Sequence, residues 1–242
     1  FDNRPYAMAI IERWPELAFR NWHNRHSIIG SFEDLDAAKV AEVRRFFRTY
    51  YAPNNAVLAV TGDLDPDDTR RLAEAYFGDI PAQALPPPPD LTEPSQKAPR
   101  AAVHRDALAQ VPAVIVGYPG PGRRTPDYYA LIMLDIVLSG GESSRFHQHL
   151  VKGRQSVIQY EANLGWPFTG PADYKDPGLY AVFLLHKPAF RSTQIVRQVE
   201  EEIRAIARAG LGRRELARAQ AFLRCNRVRQ LQSSRTRAAA LG

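Results

Sequence analysis

Four consecutive prolines, Pro86 to Pro89, sit inside "LPPPPDLTEPSQKAPR" (Leu85–Arg100) and constrain this chain more than any other stretch. Each proline fixes φ and removes a backbone donor, so neither a helix nor a central strand can run through them. The run favours extended polyproline II, and its polar tail has little to bury. It reads as an interdomain linker. The chain is therefore expected to divide into residues 1–84, a linker at 85–100, and residues 101–242.

Local signals place elements on both sides. Ala7, Ile10, Ile11 and Trp14 share one helical stripe, which Pro15 ends or kinks. Asp36 is expected to cap a helix with Val40, Val43, Phe46, Phe47 and Tyr50 on its apolar face. Ala56–Val60 is a short apolar run suited to a strand buried on both faces. Asp65 then caps a helix with Pro66 at its first position, ending at Gly78.

Beyond the prolines, "AAVHRD" and "VPAVIVGYP" read as neighbouring strands, and "DYYALIMLDIVLS" as a buried helix stopped by Gly140-Gly141. Ser143 or Ser144 is expected to cap a helix over "SRFHQHLVK". "VIQYEANLG" and "GLYAVFLLH" supply two more strands. Ser192 is expected to cap an amphipathic helix stopped by Gly210, and an Arg-rich helix runs from near Arg213 to Gln232. "NAVLAV" and "YAVFLL" are each followed by a turn and an N-capped helix, so the two halves read as similar units.

Composition excludes some classes of function. Apolar residues make up 45% of the 242, enough for a core, and Cys225 is the single cysteine. That rules out an internal disulfide framework and a cysteine-rich zinc site. No run of about 18 apolar residues occurs to span a bilayer. Of the +6 formal charge, +9 falls between Arg204 and Arg237, where ten arginines meet one acid, Glu215; the rest carries −3. Aromatics are not interleaved as stacking platforms, so the basic helix reads as a solvated face and nucleic acid is not an expected partner.

No motif assembles a catalytic site. His23 and His26 lie in a loop without a carboxylate to complete a metal set. His147 and His149 are two apart on a helix and face different ways. His104 and His186 read as structural. "EDLD" and "DLDPDD" lack a calcium loop's spacing and read as caps. "GYPGPGRR" lacks the order and the lysine of a phosphate loop. "SGGESSR" reads as one helix stopping and another starting. Ser143 and Ser144 have no His–acid system near them in sequence. Catalytic and metal-ligating residues are thus expected to be none within the 242, and substrate-binding residues are undefined.

The order and spacing of "FDNRPY", "IIGSFEDLDA", "FFRTYYAPNNAVLAVTGDLDPDD", "YFGDIP" and "LIMLDIVLSGGESSRFHQHLVKGRQ" resemble the pitrilysin/insulinase family of zinc peptidases, especially bacterial members similar to mitochondrial processing peptidase. The resemblance implies an α+β fold of two similar domains, each with helices packed on a mainly antiparallel sheet. It also implies an inverted H-x-x-E-H motif: two His and a distal Glu hold zinc while the motif Glu activates water. No H-x-x-E-H occurs here. In the family the third ligand falls shortly before the segment matching "FDNRPY", so the zinc ligands are expected upstream of Phe1. Glu12 and Glu16 lie past that place.

An Arg and a Tyr seven residues apart position substrate in some members' later domain. Here Val151 and Ile158 hold those places, with Arg154 and Tyr160 out of register. The departure favours a zinc-bearing half. The resemblance implies an internal piece of a zinc-dependent peptidase that hydrolyses peptides or unfolded polypeptides in an enclosed chamber. This chain would supply scaffold and chamber wall, with a second homologous subunit or fused half completing it. The alternative is a non-catalytic homologue or partner subunit with a binding or assembly role. Compartment is left open between exported and cytoplasmic.

Overall fold

The computed structural model describes residues 4–27, 29–170 and 174–241. Phe1–Asn3 of "FDNRPY", Ile28 of "IIGSFEDLDA" and Gly242 lie outside the described residues. Helices accompany a small antiparallel sheet, the α+β class expected. The chain divides into two compact units, residues 1–27 with 91–224 and residues 28–90 with 225–242.

A π-helical turn, Ala9–Arg13, leads into α1 (Trp14–Ala18). Pro15 accounts for the change of pitch: it has no N–H to give, and the wide turn closed by Trp14 N–H on the Ala9 carbonyl precedes it. α2 (Trp22–Arg25) is one turn capped by the Asn21 side chain. α3 (Phe32–Ala37) is capped by Ser31, which places the expected cap Asp36 inside that helix. α4 (Val40–Tyr50) starts instead at Lys39, whose N–H donates to the Glu42 carboxylate at 2.9 Å. α5 (Pro66–Phe77) begins as expected: Asp65 Oδ1 accepts the Asp67 and Asp68 N–H groups at 2.8 and 2.9 Å.

β1 (Ala113–Pro119) is followed by α6 (Pro126–Ser139), capped by Thr125, and by a π-helix, Phe146–Gly153. β2 (Val157–Leu164) and β3 (Leu179–His186) precede α7 (Ser192–Ala209), which Gly210 ends at φ 71°. α8 (Arg213–Gln232) and α9 (Ser234–Leu241) complete the order. Two expected strands are not formed. "AAVHRD" pairs with no strand, and Ala56–Val60 is exposed rather than buried, Val57 to 76%. A strand needs a neighbour for its N–H and C=O groups, and no described strand lies beside either run.

In the first unit β3 lies between β1 and β2, antiparallel to both, with Val182 opposite Val116 and Ala162. Side chains alternate across a strand, so β3 feeds two cores. Tyr180, Val182 and Leu184 face a helical layer carrying Leu138 of α6, Phe146 and Leu150 of the π-helix, and Ile195 and Val199 of α7. Ala181 and Phe183 face Trp14 and Trp166, with Tyr6 and Ile10 packed alongside. Trp166 stacks on Phe183 with ring centres 5.6 Å apart. A β3 buried on both faces explains why its sequence reads as an unbroken apolar run.

The N-terminal segment is tied to this sheet by more than apolar contact. Tyr6 sits at φ 66° with its N–H on Asp106 Oδ2 (2.5 Å) and its hydroxyl on the Val111 carbonyl (2.7 Å). Arg100 donates to the Leu17 carbonyl at 3.0 Å. The Glu93 carboxylate collects the N–H groups of Arg20 (2.8 Å) and Asn21 (3.1 Å) and the Asn24 amide (2.8 Å). The stretch after the prolines therefore runs hydrogen-bonded along residues 6–24. Carboxylate and guanidinium groups satisfy backbone groups that have no ladder of their own.

The second unit buries much less. Phe46 and Phe47 of α4 remain 53% and 51% exposed, and Leu58, Tyr76 and Phe77 are exposed as well. Phe47 stacks on Tyr51 at 4.2 Å, and Asn54 and Gln83 exchange hydrogen bonds of 2.9 and 3.0 Å. Thr61 Oγ1 donates to the Ser234 carbonyl at 2.6 Å.

Candidate functional site

One charged cluster in the first unit gathers Arg145, His149, Glu202 and Glu215 from three helices. Arg145 precedes the π-helix and forms a two-pronged pair with Glu215 of α8, Nε to Oε1 at 2.7 Å and an Nη to Oε2 at 2.9 Å. His149, one turn into the π-helix, brings Nδ1 to 2.8 Å from Glu202 Oε2 of α7. Glu202 is buried, and the Arg145 charge also acts on it. Hydrogen bonds from Arg145 hold the Glu215 carboxyl below its ordinary value.

Nothing in this cluster is free to turn over a substrate. Each carboxylate is taken up by a neighbouring cation or imidazole, and the four groups tie the π-helix to α7 and α8. Sequence reasoning did not find it. Arg145 and Glu215 stand 70 residues apart, His149 and Glu202 53, and no local spacing signals such pairs. Replacing Arg145 with alanine is expected to cost about 1–2 kcal/mol, between an exposed and a buried pair. Urea denaturation at neutral pH checks it. The difference between variant and parent should shrink as pH falls through the lowered Glu215 range, because a protonated carboxyl no longer needs its partner.

The other candidates take structural places. His26 stacks on Trp22 with ring centres 4.2 Å apart, and its Nδ1 meets the Trp22 carbonyl; His23 packs edge-on to the same indole. His147 gives its backbone N–H to Ser144 Oγ at 3.4 Å. His186 is buried between the Lys187 carbonyl at Nδ1, to which Nδ1–H donates, and Ser192 Oγ at Nε2. His104 is exposed. Ser144 is buried against the Tyr160 hydroxyl (2.9 Å), with no imidazole on its Oγ. Arg154 pairs with Glu201 and Glu16 with Arg13. "GYPGPGRR" is a turn bonded to residues 175–178 through the Gly120 and Arg123 N–H groups.

Among the described residues no group of three or more His, Cys, Asp or Glu side chains could hold a metal ion. Among the described residues the donor set that zinc requires is not met. No described helix is long and apolar enough to cross a membrane. In the second unit an open cleft of about 600 Å³ lies along α4, lined by Val43, Phe46, Tyr50 and Pro86 with Glu42 and Arg45. Its lining is mainly apolar side chain edged by charge, and the Thr49 hydroxyl there is bonded back to the Arg45 carbonyl.

Residues 37–223 match the family model described as the peptidase M16 inactive domain. The zinc protease PqqE of Helicobacter pylori is 29% identical over 163 residues, 65% of this chain and 36% of that protein. An uncharacterized zinc protease of Streptomyces coelicolor is 26% identical over 204 residues, 79% of this chain and 41% of that protein. The chain thus spans less than half the length of these curated relatives. In fold it is similar to a protease from Helicobacter pylori, with a TM-score of 0.87 at 22% identity over 98% of this chain and 56% of that one.

Proposed function

The chain belongs to the family of the peptidase M16 inactive domain, and from this premise we propose that it is the scaffold portion of a zinc-dependent peptidase. The observation that carries the reading is the match of residues 37–223 to that family, in relatives named zinc proteases. In this reading the zinc ligands and the general base belong to a part of the protein upstream of Phe1. Residues 1–84 end the zinc-bearing domain, 85–100 join the domains, and 101–242 build most of the second. The chain supplies a wall of an enclosed chamber in which peptides or unfolded polypeptides are hydrolysed. A second homologous subunit or fused half closes the chamber.

The exposed apolar residues of α4 and of Val57–Val60 support this reading. Phe46, Phe47, Val57 and Leu58 are all exposed large apolar residues, of a kind a larger first domain would cover. The interlocked state of Arg145, His149, Glu202 and Glu215 supports it too, since a scaffold needs ties rather than free acids.

The test compares the 242-residue chain with the intact protein. The chain alone is expected to bind no stoichiometric zinc by elemental analysis and to cleave no fluorogenic peptide. The intact protein is expected to cleave, and a chelator should stop it. Zinc-dependent hydrolysis by the chain alone would move the site into these residues. No hydrolysis by the intact, zinc-loaded protein would leave a binding or assembly role.

A further inference from the structure

The residues that follow the prolines bend around a small pocket whose chemistry neither the packing nor the proposed peptidase role uses. Pro94 and Pro99 fix the backbone at both ends of "PSQKAP", and the chain bends at Ala98. An open cavity of about 310 Å³ lies there, within the first unit. It is lined by Ser95, Gln96, Lys97 and Arg100 and, from the N-terminal segment, by Arg20. Three cations border one small space, and no Asp or Glu lines it. Glu93, the carboxylate next to it in sequence, is taken up by the Arg20 and Asn21 N–H groups and the Asn24 amide.

Arg100 is set in place before any ligand arrives. Its Nη1 donates to the Leu17 and Ala18 carbonyls at 3.0 and 3.2 Å, carbonyls that the last turn of α1 leaves without helical partners. The Nε and Nη2 edge of the same guanidinium has no protein acceptor among the described residues. That edge is a planar fork suited to two oxygens of one anion. Arg20 and Lys97 are exposed, and their side chains enter no ion pair or hydrogen bond among the described residues. The backbone N–H groups of Gln96, Lys97 and Ala98 likewise find no protein acceptor and add donors beside the cavity.

The ligand that fits three cations is one with more than a single charge. A phosphate monoester carries about −1.5 to −2 at pH 7 and three acceptor oxygens, whereas a carboxylate offers one charge and two oxygens. The cavity is at the small end of ligand sites, so it admits a phosphate with at most a modest substituent. We propose that this pocket binds a phosphate group, Arg100 forming the fixed fork and Arg20 and Lys97 closing over it. The site is independent of the peptidase reading.

The test titrates the intact protein with inorganic phosphate and, separately, with phenyl phosphate, by calorimetry at low salt. Saturable binding is expected with a Kd of about 1 mM or tighter. Tighter binding of inorganic phosphate assigns the pocket to the free ion, and tighter binding of phenyl phosphate assigns it to a phosphate ester. Arg20→Gln combined with Lys97→Gln should weaken binding about tenfold, since two screened, exposed cations are lost. These two side chains bond to nothing else in the fold, so the variant keeps its structure. Arg213→Gln combined with Arg214→Gln, on the basic helix α8, should leave the affinity unchanged. The proposal is overturned by no saturation up to about 10 mM, by acetate binding as tightly as phosphate, or by an unaltered affinity in the Arg20 and Lys97 variant. A loss confined to the Arg213 and Arg214 variant would likewise overturn it.

Discussion

Phe146→Ala is expected to lower the stability of the sheet-bearing unit by about 3–5 kcal/mol, the largest loss of any single side chain considered. Phe146 is fully buried as the first residue of the π-helix, among Leu138, Leu150 and Leu164. Its ring meets Tyr160 edge-on, with centres 5.9 Å apart and planes at 80°. Truncation removes both the transfer energy of the ring and its contacts. The π-helix is pinned at its far side through Arg145 and His149, so it cannot simply close over the void. Phe146→Leu retains most of the volume and should cost less than about 1.5 kcal/mol. Urea titration separates the two, and a loss below about 1 kcal/mol for the alanine variant would mean that the layer collapses freely.

Gly117→Val is expected to have a comparable effect through the opposite fault. A Cβ on Gly117 would stand 2.3 Å from Cη2 of Trp14, closer than any contact an unstrained side chain makes. Overpacking of this kind costs about 1–3 kcal/mol. Here the indole must also leave the sheet, giving up the burial of a large side chain, typically about 1.5–3 kcal/mol more. Trp14 belongs to the segment that Asp106, Arg100 and Glu93 hold in place, so its release should loosen residues 6–24 together. Tryptophan emission should shift to the red as Trp14 meets water, and the melting temperature should fall. A double-mutant cycle gives the cause: in a Trp14→Ala background the valine should cost little. An unchanged valine penalty there would place the strain elsewhere.

Local signals in the sequence were sufficient wherever a few neighbouring residues carry the physics. Asp65 and Pro66 mark the start of α5, Gly210 the end of α7, and "YAVFLL" an apolar strand. The same reasoning missed where the partner lies far off. Ala56–Val60 has the composition of a buried strand, yet no described strand pairs with it. Asp36 has the chemistry of a cap, yet Ser31 starts the earlier helix and leaves Asp36 inside it. The cluster of Arg145, His149, Glu202 and Glu215 was invisible because its members come from three helices.

By itself the sequence determined local starts and stops, such as Asp65 ahead of α5 and Gly210 after α7, through turns and caps that act within a few residues, and the resemblance of its ordered segments pointed to the family. It also determined that no zinc-peptidase motif lies in these 242 residues. Tertiary structure alone decided that Trp14 lies on Gly117, that Glu93 grips residues 20–24, and that Glu202 is buried against His149. The reason is range. Helix caps and proline constraints are set by adjacent backbone, whereas close packing and desolvation depend on surfaces that meet only once the chain has folded.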